Sequence, residues 1–287
     1  TLNEPWVAAM IGYYRGVHAP GIRDFDSALR AAHNMLLAHG WAVTLYRSLG
    51  LPGRIGVTLN LQPTYPLTES DADRAAARAS DGYTDRWFLD PVFGRGYPAD
   101  MLELYERRGA DMGFANEADA RTIGQPLDFL GVNYYSRRVV SAGGTELGWT
   151  VREGAPPGAE VTGFNSEIVP DSLVDLFARL RTDYPATPLY VTENGAAWRE
   201  TLGADGQVAD PYRIDFLRRH FAAAERAIGE GTDLRGYFVW SLMDNFEWAF
   251  GYWPRFGLVY VDYPTQRRVP KASARWYSGV IRANGVD

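Results

Sequence analysis

Four β-rich runs separated by helical sequence constrain this chain more than any other feature. The run 54–61 stops just before Pro63, and the stretches 127–135, 189–192 and 236–242 repeat its apolar, β-branched and aromatic composition. Between them the apolar positions move to helical spacing. The stretch 26–49 carries Leu29, Met35, Leu36 and Val43 near one face, with Asp26 or Ser27 placed to cap it. The stretch 70–89 opens on Asp71 and Asp73, and 171–181 sets Leu173, Leu176, Phe177 and Leu180 on one side. Two further helices are expected over 211–229, with Pro211 in the first turn, and over 272–283. Strands joined through helices pair in parallel, because the helical crossover brings the chain back to the same end of the sheet. The expected fold class is therefore α/β, built of parallel β/α units.

The length of 287 residues is within the range of one α/β barrel, and 46% hydrophobic residues can fill a sizeable core. No linker, repeat or low-complexity tract divides the sequence, so 1–287 is expected to be a single domain. The stretch 141–167 is rich in Gly and Pro without a period and reads as a long loop, a common place for function. A net charge of −6 argues against nucleic acid or an anionic membrane surface as partner. No apolar run of about 18 residues is present to span a bilayer, and a cytoplasmic location is expected. Without cysteine, disulfides, thiolate metal sites and cysteine nucleophiles are excluded. His18, His33, His39 and His220 are scattered; His33 and His39 stand six apart, off a common helical face, so no metal site is expected. Nine Trp and 17 Tyr fit either a generous core or sugar binding, since CH-rich sugar faces stack on aromatic rings.

Two acids occupy short breaker-bounded motifs: Glu4 in Thr1-Leu2-Asn3-Glu4-Pro5 and Glu193 in Tyr190-Val191-Thr192-Glu193-Asn194-Gly195. Active sites of parallel β/α barrels form at the carboxyl ends of strands. Glu193 follows a strand, and Glu4 reads as the end of a strand whose body precedes Thr1. Two carboxylates converging at a spacing of about 5 Å suit glycoside hydrolysis with retention. The plainer reading, in which each acid is a helix cap or a salt-bridge partner, stays open at this level. A third cluster, Trp240-Ser241-Leu242-Met243-Asp244-Asn245-Phe246-Glu247-Trp248, follows the last β-rich run. It is either a packed aromatic loop or a sugar clamp, with a bidentate carboxylate for hydroxyls and an indole for the ring.

Asn3-Glu4-Pro5, Gly131-Val132-Asn133-Tyr134-Tyr135, Thr192-Glu193-Asn194-Gly195 and Trp240 through Trp248 stand in the order found in family 1 glycoside hydrolases. Gly251-Tyr252, Arg255-Phe256-Gly257 and Val261-Asp262-Tyr263 continue the resemblance to the C-terminus. It implies a (β/α)8 TIM barrel of which this chain supplies strands five to eight and the tip of strand four. It also implies a retaining β-glucosidase with Glu4 as acid/base and Glu193 as nucleophile. Asn3 would hold the sugar 2-hydroxyl, Asn133 would position the acid/base, and Tyr135 would donate to Glu193. Trp240 would be the stacking platform, Glu247 and Trp248 would bind distal hydroxyls, and Phe256 would close the pocket. The charge on Glu193 is expected to raise the pKa of Glu4. The chemistry needs no cofactor. Glu247 would repel a sugar phosphate, so the expected substrate is an unphosphorylated β-glucoside or short β-linked oligosaccharide.

The sequence departs from the family in two places. Roughly 150 residues of β/α units that precede the acid/base motif in a complete barrel are not in it. A fragment or split enzyme is expected, closed by an N-terminal half-barrel chain or by self-association. The alternatives are an inactive half-barrel fragment and a non-catalytic carbohydrate-binding relative. Second, the Gly-Trp pair that members often carry near the aglycone site is replaced by Asn165-Ser166, for which Trp149 is a candidate substitute.

Overall fold

The computed structural model describes residues 1–152 and 154–286. Among the described residues nine strands are present: β1 (Gly56–Asn60), β2 (Thr64–Pro66), β3 (Phe129–Asn133), β4 (Arg138–Ala142), β5 (Trp149–Val151), β6 (Leu189–Asn194), β7 (Leu234–Val239), β8 (Val259–Asp262) and β9 (Arg267–Pro270). The α-helices are α1 (Phe25–Ser48), α2 (Asp71–Asp81), α3 (Trp87–Val92), α4 (Ala99–Glu106), α5 (Glu117–Ile123), α6 (Asp171–Asp183), α7 (Pro211–Gly229) and α8 (Ala272–Ala283). The four expected strands form one sheet in the order β1-β3-β6-β7, every pair parallel.

The sheet has two different faces. Val57, Leu59, Leu130, Val132 and Val191 point into the main core, where Leu29 and Leu36 of α1 and Leu173 and Phe177 of α6 cover them. The opposite face carries small and polar residues at its centre. Gly131 lies between Thr58 and Thr192 so closely that a β-carbon there would meet the Thr58 hydroxyl at 2.2 Å. Only glycine fits between those strands. The segment before β1 joins the same sheet: Asn3 bridges Thr58 in parallel, and Glu4 N–H donates to the Thr58 carbonyl at 3.0 Å.

Several local expectations are corrected. Helix α1 is capped by Asp24, whose carboxylate accepts from Ser27 N–H at 2.7 Å, two residues before the expected Asp26. The expected helix over 70–89 exists as α2, a π-helical turn over Gly82–Arg86, and α3. Ser70 caps it, and Asp71 and Asp73 lie in its first turn, where the helix dipole favours acids. The supposed loop 141–167 is partly strand. β4 turns back as β5, and with β2 they form a three-stranded sheet. Trp149 belongs to β5, is 4% exposed and packs against Tyr83, so it is a core residue and no substitute for an aglycone tryptophan. The β8–β9 hairpin and the short helices α4 and α5 were not anticipated, because their segments are too short to show a period.

The sheet ends are apolar and open. Among the described residues no strand pairs with the outer side of β7, and Phe238 on it is 57% exposed. At the other end Trp41 and Leu45 of α1 and Leu49 at its C-cap are 61%, 60% and 60% exposed. Among the described residues no helix is long and apolar enough to cross a membrane.

Candidate active site

Glu4 sits where the first strand segment turns into a helix. Its backbone is left-handed, with φ of +49°, and its carbonyl accepts from Ala8 N–H at 3.2 Å, at the start of a helical segment that continues as a π-helix over Val7–Tyr14. For a residue with a β-carbon that conformation costs about 1–2 kcal/mol. The strain coincides with the residue whose carboxyl meets the Asn133 amide.

Glu193 arrives from β6. The register pairs Asn133 of β3 with Glu193 directly, after a shift between Val132 and Asn133. That pairing puts the ends of the two strands side by side. Asn133, 1% exposed, donates through Nδ2 to Glu4 Oε1 at 2.8 Å and to Asn3 Oδ1 at 3.0 Å. Tyr135, two residues on, donates to Glu193 Oε2 at 2.8 Å. Asn194 anchors the end of β6, with Nδ2 on the Tyr134 carbonyl at 2.9 Å and Oδ1 accepting from Tyr237 at 2.6 Å. Asn3, Glu4, Asn133, Tyr135 and Glu193 are thus one connected cluster at the carboxyl ends of neighbouring strands.

The electrostatics separate the two acids. Burial pushes Glu4 up to about 7; the Asn133 hydrogen bond works against this, and the nearby Glu193 and Glu247 charges add to it. Glu193 is also raised by burial, but Tyr135, Asn133 and Asn3 all favour its ionised form. The expected cause, the Glu193 charge, is therefore present at Glu4 but subordinate to burial. Glu247 is raised by burial first and the Glu193 charge second, which brings it into the same field.

The loop after β7 supplies the rings. Trp240 N–H donates to the Asn194 carbonyl at 2.9 Å, tying the loop to the end of β6. Trp240 is half-buried, whereas Trp248 is 61% exposed and stacks on His18 with centroids 5.3 Å apart. Phe256 meets Tyr135 edge-on at 6.3 Å and stacks on Phe164 at 5.6 Å. Phe164 also contacts Phe250 and Trp253, so it stands just before Asn165-Ser166 in an aromatic cluster. Neither His18 nor Phe164 carries a motif that could have singled it out. The other histidines are engaged elsewhere: His33 with Tyr97 and Asp119, His39 with Thr1, His220 with the Phe216 carbonyl.

A buried charge network holds this loop from behind, and its role was not legible beforehand. Asp244 accepts from Arg255 at 2.7 Å, from Gly257 N–H at 3.0 Å and from Lys271 at 3.0 Å. Lys271, fully buried, also contacts Glu200, which takes Arg213 at 2.5 Å; Arg213 in turn reaches Asp210 at 2.9 Å. Buried charges persist only when paired this completely. A cleft of about 740 Å³ opens on the outer side of the loop, against Trp240, Leu242, Phe246, Tyr252 and Tyr263, and touches neither Glu4 nor Glu193.

Comparison with known proteins finds relatives along nearly the whole chain. The sequence profile of Glycosyl hydrolase family 1 matches residues 1–286. β-Glucosidase A of Acetivibrio thermocellus is 40% identical over 286 residues, covering 99% of this chain and 64% of the relative. β-Glucosidase A of Thermotoga maritima is 40% identical over 291 residues, covering 100% and 64%. The chain therefore spans just under two thirds of the length of these relatives. Among solved structures, the family 1 β-glucosidase from Thermotoga maritima superposes with a TM-score of 0.93 at 41% identity, covering 100% of this chain and 63% of that one. The same enzyme in complex with deoxynojirimycin gives 0.94 at 41% identity, covering 100% and 64%. These relatives are TIM barrels. With the motifs, the parallel sheet and the profile in agreement over nearly its whole length, the chain belongs to glycosyl hydrolase family 1.

Proposed function

We propose that this chain carries the acid/base and the nucleophile of a retaining β-glucosidase. The substrate would be a terminal, unphosphorylated β-D-glucosyl residue of a β-glucoside or short β-linked oligosaccharide. The observation that carries the reading is the contrast between the two acids: Glu4 is raised to about 7, mainly by burial, while Glu193 accepts a 2.8 Å hydrogen bond from Tyr135 that favours its anion. Neutral Glu4 gives its proton to the departing glycosidic oxygen as Glu193 attacks the anomeric carbon, so the C–O bond breaks and an ester forms. The ionised Glu4 then takes a proton from water, which attacks the same carbon and releases Glu193. Asn3 would hold the 2-hydroxyl, with Asn133 steadying both Asn3 and Glu4. Trp240 would be the ring platform, Glu247 and Trp248 would read distal hydroxyls, and Phe256 would border the pocket. Deoxynojirimycin binding by the Thermotoga maritima relative supports a glucose-shaped site.

In this reading 1–287 is a single domain that contributes β1, β3, β6 and β7 as strands five to eight of a (β/α)8 barrel, with 1–4 as the tip of strand four. The parallel bridge of Asn3 to Thr58 at the outer edge of β1 supports the assignment. The open, apolar ends of the sheet support closure by an N-terminal half-barrel or by a second copy. An inactive fragment is the competing reading for the chain alone.

One experiment addresses both. A 2-deoxy-2-fluoro-β-glucosyl reagent is offered to the chain with and without the N-terminal half, and labelled peptides are identified by mass spectrometry. An ester on Glu193 supports the proposal. Label on another residue, or none in the reconstituted barrel, overturns it.

A further inference from the structure

We infer that Thr192 is a positioning residue for Glu4: its hydroxyl turns the Asn133 amide so that the NH2 group, and not the carbonyl oxygen, meets the Glu4 carboxyl. The inference rests on the reading of Glu4 as acid/base and adds a residue to which that reading gave no role.

The geometry is a relay through one side chain. Thr192 Oγ1 donates to Asn133 Oδ1 at 2.6 Å, and Asn133 Nδ2 donates onward to Glu4 at 2.8 Å and Asn3 at 3.0 Å. Among the described residues Thr192 is the only side chain that donates to Asn133 Oδ1. Asn133 is 1% exposed, so its carbonyl oxygen depends on this donor. The site is built for it: Gly131, next to Thr192 across the strand pair, leaves no side chain between Thr192 and Thr58.

An amide has two faces of opposite character. Its NH2 stabilises a carboxylate, while its carbonyl accepts from a neutral carboxylic acid and stabilises that form. Held by Thr192, Asn133 presents the donor in both protonation states of Glu4, and so opposes the burial that favours the neutral acid. Without the hydroxyl, the buried Oδ1 loses its donor, and turning toward protonated Glu4 supplies one. The titratable groups facing Glu4 are Glu193 on β6, Glu247 in the loop after β7 and Tyr135 after β3, all acids. None of them compensates for the lost NH2.

The test needs no turnover. The intact chain is labelled with side-chain ¹³C-glutamate, its carboxyl carbons are titrated by NMR, and the Glu4 signal is assigned by its loss in Glu4→Gln. Thr192→Val, close in size and shape, should raise the Glu4 titration by about one unit or more, and Thr192→Ser should restore the original value. An unchanged Glu4 in Thr192→Val overturns the inference, as does an equal shift in Thr192→Ser, which would make the effect one of packing. If Thr192→Val loses its native near-UV dichroism, Thr192→Ala removes the same hydroxyl without adding a methyl and replaces it. A wild-type chain in which Glu4 titrates like an ordinary glutamate overturns the acid/base reading itself, an outcome separate from the first two.

Discussion

Tyr135 donates a 2.8 Å hydrogen bond to Glu193, and this contact works against the burial that raises the Glu193 carboxyl. In its proposed role as nucleophile Glu193 must be ionised at the moment of attack, which would give the phenol a chemical task beyond packing. Burial and the adjacent glutamate in turn keep Tyr135 protonated, well above the ordinary range of a tyrosine. Tyr135→Phe should move the acidic limb of the glycosylation rate upward. Near neutral pH it should slow ester formation by about 10- to 100-fold, the worth of a hydrogen bond to a charged group. Pre-steady-state release of a good leaving group measures it, and an unmoved acidic limb would reduce Tyr135 to a spacer.

Glu4 links the site to stability. Its folded pKa, about 7, lies above the unfolded value of 4.5. Between those pH values the folded chain holds a proton that the unfolded chain has lost, so stability falls as pH rises through this window. The penalty is absent below the unfolded pKa and complete above about 7, on the order of 3 kcal/mol by linkage. Glu4→Gln removes the titration. The variant should be more stable than the parent at pH 8, with the gap closing by pH 4.5, in urea unfolding curves taken across the range. A constant gap at all pH values would place the pKa elsewhere.

The same variant separates the two halves of the reaction. An acid catalyst matters most when the leaving group cannot depart as an anion. In the proposed barrel completed by its N-terminal half, Glu4→Gln should therefore lose activity on alkyl glucosides by about 100-fold or more, while formation of the ester from a dinitrophenyl glucoside falls far less. Equal losses on both would remove Glu4 from the role of proton donor.

Lys271 ties Glu200 to Asp244 with no exposure to water. Lys271→Met leaves both acids short of a cation, and breaking a buried pair on one side costs about 3–5 kcal/mol. The loop over 240–257 hangs on Asp244, so the loss should show twice. The urea midpoint falls, and proteolysis begins in this loop before it reaches β3 or β6. Adding Asp244→Asn should cost less than the sum of the two single changes, since the second change removes the charge that the first left unpaired.

What was legible in the sequence follows from how local each signal is. The four sheet strands announce themselves by runs of apolar, β-branched and aromatic residues, of which Val57, Leu130 and Val191 face the helix-covered core. The cluster around Glu4 and Glu193 was legible because strand ends carry it as short contiguous motifs. Asn133 and Glu193 are far apart in sequence, but both lie where their strands stop, and parallel register makes them neighbours. The Asp244–Lys271–Glu200 network was not legible, because it is assembled from two separate loops and a helix cap that share no pattern. The misreading of Trp149 has the same origin: an aromatic in a Gly-rich stretch looks like a binding residue until the β4–β5 pairing turns it inward. The dominance of burial over the Glu193 charge at Glu4 likewise depends on depth, which no motif encodes.

The open ends of the sheet yield the last prediction. Trp41, Leu45 and Leu49 recur at four-residue spacing along one stripe of α1, and each leaves well over half its surface in water. A helix that packs only on its other side keeps such a stripe for a neighbour. Each large side chain buried there contributes about 1.5–3 kcal/mol, so the chain alone should self-associate at micromolar concentration. The double change Trp41→Glu with Leu45→Glu should weaken that association tenfold or more in sedimentation velocity, with the far-UV spectrum unchanged. If the stripe is instead the seat of an N-terminal half-barrel, adding that half should dissociate the self-assembled form and protect Trp41 from fluorescence quenching by iodide. A parent chain that stays monomeric, with Trp41 equally quenched whether or not the half is present, would show that this stripe is ordinary surface.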